Sequence, residues 1–162
     1  MQPEITFKLR LVELAELRFA YNPFVGPEPA TLDQLNTEVQ TNLSFEEHDG
    51  HFVVAMQIRY TYPVPPATGE PTPAAEHEWA IFTARATYEL SDIEKVVRPN
   101  TQPGWRQLPE PVAAMLVGTT YSTVRGMLFA RFVNTPLRQI PLPMIDPLAV
   151  LRSTPEFSPA EA

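Results

Sequence analysis

The fold is decided by residues 108–151, which read LPEPVAAMLVGTTYSTVRGMLFARFVNTPLRQIPLPMIDPLAVL. Glu110 and Pro111 suit the first turn of a helix, and only two charged residues occur between positions 112 and 133. Apolar or neutral residues cover more than one side of this helix, and such a helix is normally buried on more than one side. The sequence therefore predicts a long helix covered by a sheet on one side and by a second copy of the protein on the other.

The predicted helix carries an expected oligomer interface and one unusual charge. The charge is Arg125, which we expect to be buried and paired, with Asp92 or Glu94 of the preceding loop as its partner. The interface is expected at four residues at helical spacing: Val117, Tyr121, Val124 and Leu128.

Proline and asparagine residues organise the chain after the helix. Asn134-Thr135-Pro136 ends it, and the prolines of residues 137–145 predict an extended segment that cannot be helical. Asp146 and Pro147 suit the cap and first turn of a short helix. We expect a single domain over residues 1–152 and a disordered tail over 153–162.

The region before the long helix predicts strands. Residues 5–21 alternate with period two, which favours a strand with a bulge near Glu13 over a helix. Asp49-Gly50 is a strong hairpin signal between two further alternating runs. The alternating apolar positions of the other three strands are 39–45, 52–62 and 80–90.

The order of elements defines the expected fold class. Four strands followed by helices are typical of an α+β domain. We expect a four-stranded antiparallel sheet with the long helix and the short C-terminal helix on one face.

Composition excludes several classes of function. The 162 residues include no cysteine and carry a net charge of −7, which argues against thiolate chemistry, nucleic acid and anionic membranes. MQPEITFKLR lacks the apolar core of a secretory signal, and residues 111–124 are too short and too polar to span a bilayer, so a cytoplasmic protein is expected.

Residues suited to catalysis are scarce. No phosphate loop or nucleophile elbow is present, so we expect neither an enzyme nor a cofactor. His48, Asp49 and His51 could hold a metal at the hairpin tip, but a solvated polar turn is the favoured interpretation, and no metal site is predicted.

Large apolar residues in loops and at strand ends are the candidate binding site. They either cap the core beneath long loops or form a groove for extended apolar segments, with acidic rims that attract basic clients. The seven candidates are Leu32, Leu35, Tyr60, Tyr62, Trp79, Ile81 and Trp105.

Two segments carry a resemblance to a known family. FKLRLVELAELRF at 7–19 and TTYSTVRGMLFARFVNTPLRQIPLPMIDPLAVL at 119–151 resemble the opening strand and the closing helix, turn and extended segment of SecB and its SecB-like relatives. The resemblance implies an α+β, SecB-like dimer of dimers with the long helices in its interior. It also implies a chaperone without cofactors that holds unfolded polypeptides for export or serves a toxin–antitoxin system.

The resemblance has a departure that bears on its partners. SecB docks a translocase ATPase through acidic residues on its sheet; Glu16 matches one of them, whereas Ala20 stands where another carboxylate is expected. The resemblance therefore favours an antitoxin over the translocase as a partner. Two other classes stay open, a hotdog-type thioesterase-like enzyme, in which the helix would come early between strands, and a non-catalytic assembly subunit.

Overall fold

A computed structural model describes residues 7–22, 35–46, 50–64, 75–91, 98–99, 106–140 and 142–153. The strands are β1 (Leu9–Tyr21), β2 (Asn36–Glu46), β3 (His51–Val64), β4 (Ala75–Leu90), β5 (Arg98–Pro99) and β6 (Arg106–Gln107). The helices are α1 (Glu110–Phe132), a 3-10 helix (Pro136–Gln139) and α2 (Pro147–Ser153).

The four long strands form one antiparallel sheet in the order β1-β4-β3-β2. The turn between β2 and β3 ends at Gly50, which has a φ of +67° and donates its N–H to the carbonyl oxygen of Glu46 at 2.9 Å. This left-handed conformation is the one that the hairpin signal requires. The predicted α+β class and sheet are confirmed, and four long strands precede α1, unlike the order of a hotdog fold. The short β5–β6 pair was not predicted.

The first strand confirms the prediction made from its period-two pattern. Leu9 pairs with Leu90 and Tyr21 with Ala80, and the register shifts between Leu11 and Glu13, at the predicted bulge. A second shift lies between Glu16 and Arg18. Each bulge inserts one unpaired residue, so apolar residues return to the helix side of the sheet despite the break in alternation.

The core lies between α1 and one face of the sheet. Each of its aliphatic side chains gains about 1.5–3 kcal/mol when it leaves water, so this layer supplies much of the stability. Its most deeply buried members, all 0% exposed, include Val54, Met56, Ile58, Phe82, Leu116, Val117, Val124 and Leu128.

The chain after α1 runs back along the helix. Asn134 and Thr135 end α1 as predicted, but Pro136–Gln139 forms a 3-10 helix, where an extended segment was predicted. A 3-10 turn tolerates proline at its first position because a backbone N–H there would have no partner within the turn, so its absence in proline costs no hydrogen bond. The backbone N–H of Leu148 donates to Asp146 Oδ1 at 2.9 Å and caps α2 as predicted.

Candidate functional site

Three of the residues that were predicted to line a groove are buried in the structure. Tyr60, Trp79 and Ile81 are 0%, 3% and 4% exposed, and a side chain with so little exposed surface cannot form the wall of an open groove. Tyr60 packs edge-on against Phe132, with ring centroids 5.8 Å apart. These three residues belong to the interior of the domain.

The surroundings of Trp79 and the positions of the four remaining groove candidates differ from one another. A register shift in the β3–β4 pairing accommodates Trp79, whose indole N–H donates to the carbonyl oxygen of Asn22 at 3.2 Å. Leu35 and Tyr62 are half-buried and stay candidates. Leu32 and Trp105 lie outside the described residues.

The predicted oligomer stripe faces the sheet of its own chain. With exposures of 0–4%, these side chains have no surface left for a second subunit, so they are reassigned to the core: Val117, Tyr121, Val124 and Leu128. The exposed side of α1 carries a different set of residues, and this side forms the candidate site.

A cavity of about 620 Å³ lies between α1 and the segment that follows it. Phe129, which is 65% exposed, stands on its helix side, and Ile140 and Leu142 stand on the opposite side. Gly126 lies between them, and a Cβ atom built on it would meet nothing within 4 Å. The cavity is therefore open at Gly126 and has apolar side chains on both walls, with Arg125 and Arg138 among its other lining residues.

A second cavity of about 420 Å³ continues the first toward the start of α1. Its apolar walls are Met115 on the helix and Met144, 86% exposed, on the returning segment. Ser122 and Arg125 line both cavities, so the two are adjacent. We name the combined feature the α1 groove, defined by the residues that line these two cavities.

The floor of the α1 groove is less polar than its sequence suggests. Ser122 lies at the junction of the two cavities, and its hydroxyl donates to the carbonyl oxygen of Gly118 at 2.9 Å. Thr119, which lines the smaller cavity, lies on the same helix. The Ser122 hydroxyl has thus given its hydrogen to its own helix and can offer a ligand only an acceptor.

Two contacts hold the outer wall of the groove in place. The hydroxyl of Tyr121 donates to the carbonyl oxygen of Pro143. Gly118 allows the wall to approach α1, since a Cβ atom on it would lie 3.1 Å from Cγ of Pro147. The pKa of Tyr121 is raised by burial and lowered in part by the nearby Arg125 guanidinium.

The far end of this wall is fixed by an ion pair. Arg152 Nε donates to Glu110 Oε1 at 2.7 Å and ties α2 to the first turn of α1. This hydrogen bond lowers the pKa of the Glu110 carboxyl, and the same bond raises the pKa of Arg152.

The α1 groove carries positive charge and differs in this from the groove expected at the loops and strand ends, for which acidic rims were predicted. Arg125 and Arg138 line it, and its described lining residues include no aspartate or glutamate. Arg125 is exposed, which corrects the expectation of a buried charge; its proposed partners Asp92 and Glu94 lie outside the described residues.

Two tyrosine hydroxyls in the interior do not belong to the residues that line the α1 groove. The Tyr88 and Thr120 hydroxyls hydrogen-bond at 2.8 Å, and burial raises the pKa of Tyr88. Burial also raises the pKa of Tyr60, whose hydroxyl has no partner in the described part of the chain. Within the described residues no three metal-binding side chains cluster; His48 and Asp49 fall outside them.

One signal in the sequence could have located the groove. Gly118, Ser122 and Gly126 recur every fourth residue and so lie on one side of α1. Because these side chains are small, they leave a depression along that side of the helix. The aliphatic residues on the neighbouring side of the helix are better suited to pack against the sheet.

Solved structures of similar shape include two that can be described. One is a SecB-like chaperone of Mycobacterium tuberculosis, solved with a ChAD peptide from the HigA1 antitoxin; it is 17% identical, with 85% of this chain and 90% of that chain covered and a TM-score of 0.49. The other is a Streptococcus agalactiae protein of unknown function, 9% identical, with coverages of 87% and 99% and a TM-score of 0.42. No protein-family model and no curated protein match the chain. Likenesses of this size assign neither a family nor a ligand.

None of the helices in the described ranges combines the length and hydrophobicity needed to cross a membrane.

Proposed function

We propose that the α1 groove binds extended segments of unfolded polypeptide and that the protein is a holdase chaperone of the SecB-like kind. The observation that carries the proposal is the continuity of the two cavities along an exposed side of α1 that has apolar residues at both ends. Phe129 and Met144 stand on opposite walls with most of their surface in solvent. Exposed apolar surface in a groove of this shape is typical of a ligand-binding site.

The dimensions of the groove suit an extended chain. Met115 and Phe129 are fourteen residues apart on one helix, which corresponds to about 21 Å. About six residues of extended polypeptide span that length. Each client side chain buried there would gain about 1.5–3 kcal/mol, without requiring a particular sequence.

The setting we propose is a dedicated partner such as an antitoxin, and not docking on an export translocase. Glu16, the residue that resembles a translocase contact, accepts two hydrogen bonds of 3.0 Å from Arg131 of α1. Its carboxylate is thus engaged within the chain. Calorimetric titration with a purified translocase ATPase should give no binding heat.

We infer that a homodimer forms through β1, which leaves the α1 groove open. This strand has a partner on one side only and exposes Leu11, Val12 and Leu17, whereas the other sheet edge, β2, exposes mainly polar residues. An edge strand with exposed apolar side chains favours pairing with another chain. The variant Leu17→Glu should reduce the molar mass measured by light scattering.

The functional test compares two substitutions on the exposed side of α1. Gly126→Leu places a side chain in the open middle of the groove, whereas Ala130→Leu, four residues later, adds similar bulk outside both cavities. Neither change should unfold the helix, since leucine is a strong helix former. The measurement is light scattering of an unfolded model client at micromolar protein concentration.

The chaperone role predicts that the native protein and Ala130→Leu slow client aggregation, and that Gly126→Leu loses most of this effect. Equal protection by both variants would show that the groove is not the binding surface. Stable binding to one folded partner and none to unfolded chains would instead support an assembly subunit.

A further inference from the structure

Building on the proposed function, we propose that the α1 groove selects extended segments that carry an aspartate or glutamate between apolar residues. The carboxylate would bind Arg125, with Arg138 adding positive charge on the opposite wall. This preference is for acidic clients, the opposite of the one expected from the sequence.

Arg125 and Arg138 differ from most arginines of the described chain because they form no ion pair. Most arginine side chains that the structure describes lie within 4 Å of a glutamate oxygen; the pairs are Arg10–Glu89, Arg59–Glu38, Arg59–Glu78, Arg85–Glu13, Arg131–Glu16 and Arg152–Glu110. In the same described ranges, Arg18, Arg125 and Arg138 have no carboxylate within that distance. Arg18 lies on β1, whereas Arg125 and Arg138 both line the α1 groove and give it a positive charge that a ligand carboxylate could meet.

The contact that Arg125 does make is easily replaced. One guanidinium N–H of Arg125 points at the thioether sulfur of Met144, 3.6 Å away. A thioether is a weak hydrogen-bond acceptor, whereas a carboxylate can accept two parallel N–H groups from a guanidinium. A client carboxylate would therefore gain more from this site than the exposed methionine does.

Two polar groups next to the outer wall of the groove already make hydrogen bonds within the chain. Asp146 is the acidic residue next to the groove wall, and its Oδ1 already accepts the N–H of Leu148. The Tyr121 hydroxyl is committed to the carbonyl oxygen of Pro143. Asp146 Oδ1 and the hydroxyl hydrogen of Tyr121 are thus used in holding the wall.

The position of Arg125 sets the pattern of the client. It lines both cavities, with Phe129 and Ile140 on one side and Met115 and Ile145 on the other. A bound segment would place its carboxylate centrally and its apolar side chains toward both ends. Since the whole chain carries a net charge of −7, this attraction is local, and salt should weaken it.

The test uses three fluorescein-labelled peptides with apolar residues on both sides of a central Asp, Asn or Lys. Fluorescence anisotropy gives their affinities for the native protein, for Arg125→Gln and for the control Arg18→Gln, which removes an exposed arginine of β1. We expect the Asp peptide to bind the native protein and Arg18→Gln roughly two- to fivefold more tightly than the Asn peptide. Arg125→Gln should remove that difference, so that the Asp and Asn peptides bind the variant with equal affinity.

The outcomes separate this inference from the proposed function. Equal affinities for the Asp and Asn peptides, or tighter binding of the Lys peptide, overturn the acidic preference and leave polypeptide binding intact. If no peptide binds, the proposed function itself fails. If sedimentation shows that a second copy covers the groove and that Arg125→Gln dissociates it, both proposals are overturned.

Discussion

The hydroxyl of Tyr121 donates a hydrogen bond to the carbonyl oxygen of Pro143, and this contact joins the sheet-facing side of α1 to the outer wall of the groove. The ring of Tyr121 is almost fully buried, whereas the segment it holds has little regular structure. The groove therefore keeps its width through a residue that belongs to the core. Stability and the proposed ligand binding are therefore expected to be coupled at this position.

Tyr121→Phe tests that coupling. The substitution removes the hydrogen bond and keeps the buried ring, so the free energy of unfolding should fall by about 0.5–1.5 kcal/mol. Urea denaturation measures this loss. Amide exchange in residues 142–146 should also accelerate, and exchange unchanged from the native protein would show that the bond does not hold the wall.

Two glycines of α1 should respond in opposite ways to alanine. Gly126→Ala adds a methyl group in open space and should stabilise the helix by about 1 kcal/mol. Gly118→Ala places Cβ 3.1 Å from Cγ of Pro147, so the same gain should be largely lost to displacement of α2. Thermal unfolding of both variants measures the difference, and equal gains would contradict the close packing of α2.

The pair between Glu16 and Arg131 joins β1 to the last turn of α1. Both oxygens of the carboxylate accept hydrogen bonds, but Arg131 is 55% exposed, so solvent weakens the interaction. A double-mutant cycle of Glu16→Gln and Arg131→Gln should give a coupling free energy of about 0.5–1 kcal/mol in favour of the pair. A coupling near zero would mean that Glu16 is free for an external partner.

The Glu110–Arg152 pair predicts a pH dependence for the docking of α2. Its hydrogen bond lowers the pKa of Glu110 below the ordinary value of 4.5, so its contribution is complete above that pH and is lost as the pH falls through the lowered value. NMR titration of the Glu110 carboxyl carbon measures the midpoint. The variant Arg152→Gln should raise that midpoint toward 4.5, and an unchanged midpoint would contradict the pair.

The strands could be read from the sequence because local rules decide them. Alternation identified β1 and its bulge near Glu13, and the Asp49-Gly50 signal agrees with the positive φ of Gly50. Asp146 and Pro147 marked the start of α2 for the same reason, since a cap acts over a few residues.

The site could not be read in the same way because packing decides it. Both sides of α1 carry apolar residues, so the helical pattern alone did not say whether the Val117 or the Met115 side faces the sheet. The Val117 side faces the sheet, so the predicted interface lies in the core and Arg125 lies at the surface. Trp79 lies in the core because of a bulge in β4, and the sequence of this strand did not predict the bulge.

The central claim, that unfolded polypeptide binds in the α1 groove, is tested most directly by a reporter placed inside it. The chain contains no cysteine, so Ser122→Cys, at the junction of the two cavities, and Ser44→Cys, exposed on β2, can each carry one environment-sensitive dye. Addition of an unfolded client should shift the emission of the dye at position 122 to shorter wavelength and shield it from a soluble quencher, with no change at position 44. A client that binds while the dye at position 122 stays unchanged would contradict the claim.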